Sequence, residues 1–195
     1  MAGTRELVLC TGNPGKVSEL RAMLPKEWVV LSLADVGLGG ELPENGHTLE
    51  DNALEKARFV HAICGKPCLA DDTGLEVDAL DGAPGVYSAR YAGPEGDAAA
   101  NIRLLLRSLE GEPDRSARFR TVLALVGRDG EHLFEGVVSG RIAMEPVGSG
   151  GFGYDPLFIP DGCRATFAEM GADEKNAIGH RGKALARLIK ALGAP

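Results

Sequence analysis

The sequence predicts an α/β fold with a mixed sheet, arranged as two lobes around a cleft. Three observations carry this expectation. Through the first half of the chain, short apolar runs of strand type alternate with apolar residues at helical spacing, the pattern of helices packed on a sheet. A run of strands fills the second half, joined at Arg128-Asp129-Gly130, a strong hairpin turn. No internal repeat or low-complexity linker divides the 195 residues, so one domain over residues 1–195 is expected.

Taken in order, Leu7-Val8-Leu9-Cys10 is a continuous apolar run and reads as a buried strand. The turn-rich Thr11-Gly12-Asn13-Pro14-Gly15-Lys16 follows, then Val17, Leu20 and Leu24 at helical spacing, with Pro25 marking the helix end. Residues 28–33 read as a second strand, and residues 37–46 as an exposed glycine-rich loop carrying Glu41 and Glu44. Thr48 caps the next helix, with Asp51 as a short capping-box partner. Ala53, Ala57, Val60 and Cys64 line one face of that helix. Cys68-Leu69-Ala70 is a short strand that ends at Asp71-Asp72, and residues 75–79 alternate like a separate, half-buried one. Residues 82–96 are irregular. Asp97 opens a helix with Ile102, Leu105, Leu106 and Leu109 inward. Residues 118–126 and 133–144 form the hairpin strands, and residues 148–156 a second glycine-dense loop. A final helix over residues 180–192 turns Ala184, Leu185, Leu188, Ile189 and Leu192 inward.

Composition narrows the function classes. Hydrophobic residues make up 44% and charged residues 25% of the chain, enough to bury a real core. A net charge of −7 argues against a general nucleic-acid or membrane-surface binder, which relies on a broad positive field. A small anionic substrate requires only that cations be gathered locally. Cys10, Cys64, Cys68 and Cys163 complete neither a zinc pattern nor a disulfide framework. Cys10 and Cys68 read as small core residues, and a reducing compartment is expected. Met1 leads into a strand-like run with no signal peptide, and no apolar stretch approaches the roughly 20 residues that span a bilayer. The expectation is a soluble cytoplasmic protein.

Four constellations carry chemistry. Adjacent carboxylates at Asp71 and Asp72, next to the Thr73 hydroxyl, repel each other unless a cation sits between them. Magnesium takes one or two carboxylates plus phosphate oxygens and water, so such a pair is an adequate cradle, although an isolated Asp-Asp also reads as a solvated turn. Glu44, from its loop, is a candidate third carboxylate. The loop from Thr11 to Lys16 offers glycines, a helix start and a full positive charge to an anion. Its spacing is not that of a Walker loop; alone, it also reads as a turn with an exposed lysine. Gly150-Gly151-Phe152-Gly153-Tyr154-Asp155-Pro156 sets two aromatics on glycine-rich backbone, suited to stacking on a flat base and equally to plugging the loop onto the core. Glu174-Lys175-Asn176 and His180-Arg181-Gly182-Lys183 gather cations at a helix start, where they oppose the helix dipole unless an anionic or carbonyl-bearing ligand is present. Together these form an inventory for a nucleoside triphosphate. A binder that retains the pocket without hydrolysis is the alternative, disfavoured because a binder has no use for a base such as Asp72.

The segments T-G-N-P-G-K, A-D-D-T-G-L, G-A-P-G-V-Y-S-A-R-Y-A-G, G-F-G-Y-D-P and E-K-N-A-I-G-H-R-G-K occur in that order over residues 11–183. Together they resemble the inosine/xanthosine triphosphate pyrophosphatase family. The resemblance implies an elongated mixed central sheet flanked by helices, with two lobes around an active-site cleft. It implies a Mg2+-dependent homodimer that cleaves ITP, dITP and XTP to the monophosphate and pyrophosphate. It makes Asp72 the general base and, with Glu44, a metal ligand. Thr11, Gly12, Asn13, Pro14, Gly15 and Lys16 would hold the triphosphate, with Thr73 beside it. Phe152, Gly153, Tyr154, Asp155, Lys175, His180 and Arg181 would contact the nucleotide. Two positions depart from the pattern. Thr73 stands where serine is common, which keeps the hydroxyl. Gly179 stands where serine usually precedes His-Arg, and its lost hydroxyl is expected to loosen that turn.

Overall fold

A computed structural model describes residues 5–193. It is a mixed α/β structure with a seven-stranded sheet. The elements are β1 (Arg5–Leu9), α1 (Pro14–Met23), β2 (Trp28–Leu31), α2 (Leu49–Cys64), β3 (Cys68–Val77), β4 (Pro84–Gly85), α3 (Ala98–Ser108), β5 (Ser116–Gly127), β6 (Gly130–Ile142), β7 (Phe158–Pro160), α4 (Ala172–Ile178) and α5 (His180–Ala191). The strand order is β2-β1-β3-β5-β6-β7, with β4 on β3. The chain divides into two compact units. One holds the residues up to Asp72, Thr121–Glu135 and the residues from Ala184 on; the other holds Thr73–Arg120 and Gly136–Lys183.

In the first unit β1 pairs in parallel with β2 (Leu7 opposite Val30) and with β3 (Val8 opposite Cys68). Parallel neighbours need crossover connections, and here those contain α1 and α2. Asn13 caps α1: its side chain accepts from the N–H groups of Gly15 and Lys16, and Pro14 occupies the first turn, where a missing N–H costs nothing. Thr48 caps α2 by accepting from the Asp51 N–H, and Gly65 ends it in the left-handed conformation. Leu7, Leu9, Leu20, Leu69, Leu123 and Leu185 pack together as this unit's core. Cys10 and Cys68 are fully buried.

In the second unit β4 runs antiparallel to the later part of β3, Leu75 opposite Gly85. β7 runs antiparallel to the end of β6, Ile142 opposite Phe158. Asp97 caps α3, accepting from the N–H groups of Ala99 and Ala100. Phe119, Phe158 and Phe167 anchor a separate core with Leu75, Leu105 and Leu157. The Phe119 and Phe158 rings meet edge-on at 4.8 Å.

Two readings of the sequence are corrected. The acidic pair does not end a strand: β3 continues through Asp71-Asp72-Thr73-Gly74 to Val77. The acids remain in extended backbone because lysines neutralise them, and Gly74 keeps the strand unbroken by admitting β4. A methyl group at Gly74 would lie 2.7 Å from the Gly85 carbonyl oxygen. The turn before His180 is tight rather than loose. The Gly179 N–H donates to the Lys175 carbonyl at 2.7 Å, and a Cβ there would lie 2.5 Å from that oxygen. The seven-residue α4 was not foreseen, since two turns are too short to show an apolar period.

Gly74→Ala is expected to cost about 1–3 kcal/mol of stability, the range for overpacking a filled interior, read from the urea midpoint. An unfolding curve that superimposes on the wild type's would contradict the close approach of β4.

Candidate active site

The Thr11–Lys16 loop hands the chain from β1 to α1. Asn13 organises it: its N–H donates to the Thr11 hydroxyl oxygen at 3.2 Å, while its Oδ1 accepts from the Gly15 and Lys16 N–H groups at 2.9 and 3.2 Å. A Cβ at Gly12 would meet no protein atom within 4 Å, so the backbone there borders open space. The Lys16 ammonium, largely buried, sits 3.1 Å from a carboxylate oxygen of the fully buried Asp71. A cation and the positive end of a helix are thus fixed at one loop, as an anion requires.

Asp72 belongs to the same unit. Its Oδ1 is 3.2 Å from the Lys56 ammonium, and its Oδ2 accepts from Asn52 Nδ2 at 3.3 Å. Lys56 also donates to Glu44 Oε1 at 2.5 Å, so one buried ammonium holds two carboxylates. Burial pushes the Asp72 carboxyl above its usual range; Lys56 and Lys16 pull the other way and Glu44 adds to the rise. Burial opposes the charge on Lys56, but Asp72 and then Glu44 outweigh it and keep the ammonium protonated. A carboxylate raised in this way is a better base than one in water.

These donors fit magnesium. Glu44 and Asp72 supply hard oxygens that converge on one positive centre, and magnesium asks for one or two carboxylates, with water and phosphate oxygens completing its shell. Among the described residues no group of three or more metal-ligating side chains forms.

The second unit carries the aromatic and cationic group. Asp155 folds back over its own loop: Oδ2 accepts from the Phe152 N–H at 2.7 Å and from the Lys175 ammonium at 2.6 Å. Gly151 makes this possible, with φ of +69° and a would-be Cβ 2.0 Å from the same Oδ2. Lys175 lies 4.7 Å from the Phe152 ring centroid, and the Arg181 guanidinium 5.7 Å from it. Such cation–π contacts contribute about 0.5–2 kcal/mol each. Arg181 donates to the Thr73 hydroxyl at 3.1 Å. The His180 ring stacks on Phe119 with centroids 4.7 Å apart. Lys175, His180 and Arg181 are buried, so they do not form a solvated basic patch. The two loop aromatics part company. Phe152 is half-buried beneath the cations, whereas Tyr154 is buried and its hydroxyl donates to the Ser88 carbonyl at 3.0 Å. The Tyr154 side chain thus anchors the loop and offers no stacking face.

The structure gathers Thr11, Asn13, Lys16, Asp71, Asp72 and Glu44 in one unit, and Thr73, Phe152, Asp155, Lys175, His180 and Arg181 in the other. Reading the sequence missed Lys56 and Asn52. Their signal was present: they stand four apart on α2, a polar pair beside the apolar Ala53, Ala57 and Val60, and both are buried. It also missed Ser88 and Phe119, which support Tyr154 and His180.

A sequence model of the Ham1 family matches residues 7–191. A dITP/XTP pyrophosphatase of Porphyromonas gingivalis is 53% identical over 184 residues, covering 94% of this chain and 95% of that protein. One from Thermus thermophilus is 52% identical over 191 residues, covering 95% and 91%. A solved HAM1 protein from Coxiella burnetii superposes with a TM-score of 0.89 at 40% identity, covering 98% of this chain and all of that one. The Ham1 protein of Staphylococcus aureus gives 0.87 at 38%, covering 96% and 98%.

In the metal-free protein, the Asp72 side-chain carbon should titrate by NMR above the ordinary value of 3.8. Lys56→Met removes the strongest pull toward the ionised form, so the midpoint should rise further. A midpoint at or below the ordinary value would show that burial does not dominate this carboxyl.

Proposed function

This chain belongs to the Ham1 family, and we propose that it hydrolyses the deaminated purine nucleoside triphosphates ITP, dITP and XTP to the monophosphate and pyrophosphate. The activity named for relatives about half identical over nearly the whole chain supports this reading. The observation that carries it is Asp72: a buried carboxylate held at both oxygens, its pKa raised by burial, in the same unit as the Thr11–Lys16 loop at the start of α1.

Asp72 takes the proton from a water molecule as that water attacks the α-phosphorus, and pyrophosphate leaves. Asn52 and Lys56 fix the plane of its carboxylate. The Gly12 backbone and the Lys16 ammonium receive the phosphate oxygens and stabilise charge that grows on them. Thr73, the next residue along β3, adds a hydroxyl. Glu44 and Asp72 would hold magnesium, which when bound neutralises phosphate charge and acidifies water. Lys175, engaged by Asp155 and Phe152, serves the base end, where Phe152 is the stacking face.

Selectivity follows from donors and acceptors. Hypoxanthine and xanthine present an O6 acceptor, adenine a 6-amino donor. Arg181 donates toward O6, and adenine would leave donor facing donor, costing about 1–3 kcal/mol for each unpaired buried group. We further propose a homodimer working in the cytoplasm. Among the described residues no helix is long and apolar enough to cross a membrane.

Two outcomes test this reading. Asp72→Asn should lower dITP turnover by at least about a thousandfold while leaving nucleotide binding measurable by calorimetry; turnover within a few-fold of wild type would remove Asp72 as the base. Arg181→Ala should raise the ratio of dATP to dITP kcat/KM about tenfold, in line with one unpaired donor. An unchanged ratio would mean that Arg181 does not read O6.

A further inference from the structure

We infer that Asn45 and Glu55 form a clamp that positions Glu44, making Glu55 a positioning residue for the metal-binding carboxylate. The inference rests on the assignment of Glu44 and Asp72 as magnesium ligands.

Glu44 lies in a stretch, residues 41–46, with no regular secondary structure. Nothing in such a stretch fixes a carboxylate unless its backbone is tied down. α2 supplies three ties in succession. Lys56 donates to Glu44, Glu55 accepts from Asn45, and Asn52 accepts from the Gly46 N–H. The middle tie is doubled. The Asn45 N–H reaches Glu55 Oε2 and Asn45 Nδ2 reaches Glu55 Oε1, both at 2.8 Å. One carboxylate thus grips backbone and side chain of the residue that follows Glu44. Charge-assisted bonds in this two-point geometry fix orientation as well as distance.

Gly46 completes the seat. A Cβ there would lie 2.5 Å from Asp51 Cβ and 2.9 Å from Asn52 Oδ1, so the loop lies directly on the first turns of α2. Two of the helix residues that grip the loop, Asn52 and Lys56, also bind Asp72. The loop ligand and the strand ligand are therefore referred to the same rigid element. Lys56 alone does not achieve this: its single contact sets a distance to Glu44 but not the orientation of the loop that carries it. The Asn45–Glu55 pair restricts that freedom before the ion arrives, so part of the ordering cost of binding is already met. Partners that orient a metal ligand typically change affinity 10–100-fold. Asn45 is exposed and Glu55 is not fully buried, so the lower end applies.

The test is Mn2+ uptake by the full-length protein, with Mn2+ alone, followed by electron paramagnetic resonance of the free ion. Glu55→Ala and Asn45→Ala should each weaken uptake about tenfold, and the double variant should be no weaker than either. Glu55→Gln keeps one acceptor but turns its amide N–H groups toward the second Asn45 donor, so it should recover only part of the loss. A Glu55→Ala protein that binds as the wild type does, while Glu44→Ala does not, overturns the clamp and leaves the metal assignment standing. Asn45→Ala binding as the wild type does, while Glu55→Ala and Glu55→Gln are equally weakened, overturns it in favour of a simple charge effect. A wild type that takes up no Mn2+ removes the metal assignment and this inference with it.

Discussion

The Lys56 ammonium, buried between Glu44 and Asp72, is the constraint on which the site depends. Asp72 and Lys56 are buried while Glu44 keeps partial contact with solvent, and a buried lysine stays charged only beside anions. Each group makes the others possible. Removing one partner of a buried ion pair such as Lys56–Asp72 typically costs about 3–5 kcal/mol, because the remaining charge is stranded. The same arrangement prepares the chemistry. Under the proposed function, the carboxylate oxygens that Lys56 gathers are those that would share a dication with phosphate oxygens.

Strand β3 sets a second constraint. Its burial leaves little freedom at Asp71 and Asp72, which point to alternate faces as strand geometry requires. They find different lysines: Lys16 at the start of α1 for Asp71, and Lys56 within α2 for Asp72. The strand therefore ties the Thr11–Lys16 loop and α2 to adjacent residues. It continues through Thr73, which accepts from Arg181, and in doing so it passes from the first unit into the second. The Asp155 fold-back, the Gly151 turn and the buried Tyr154 hydroxyl give the glycine-dense loop an anchorage of its own, wholly within the second unit.

Much of this was legible in the sequence, for identifiable reasons. Long or strongly patterned elements announced themselves: α2 and α3 by apolar spacing and their Thr48 and Asp97 caps, and the β5–β6 hairpin by its turn. Five ordered motifs pointed to the family and to the residues gathered in each unit. The failures were of two kinds. Local reading broke β3 at its acids because repulsion between neighbours is visible in sequence, whereas the lysines that cancel it come from residues 16 and 56. Lys56 and Asn52 were overlooked because a polar residue on a helix reads as surface until the fold buries it. Tyr154 and Phe152 looked equivalent as loop aromatics; the Ser88 carbonyl, 66 residues away, is what marks Tyr154 as an anchor.

The central claim, that Asp72 directs water onto the innermost phosphorus, is tested most directly by the fate of solvent oxygen. With dITP turned over in 18O-enriched water and the products weighed by mass spectrometry, the heavy atom is expected in the monophosphate, with pyrophosphate unlabelled. Label in pyrophosphate with none in the monophosphate would place the attack on the β-phosphorus and contradict the account.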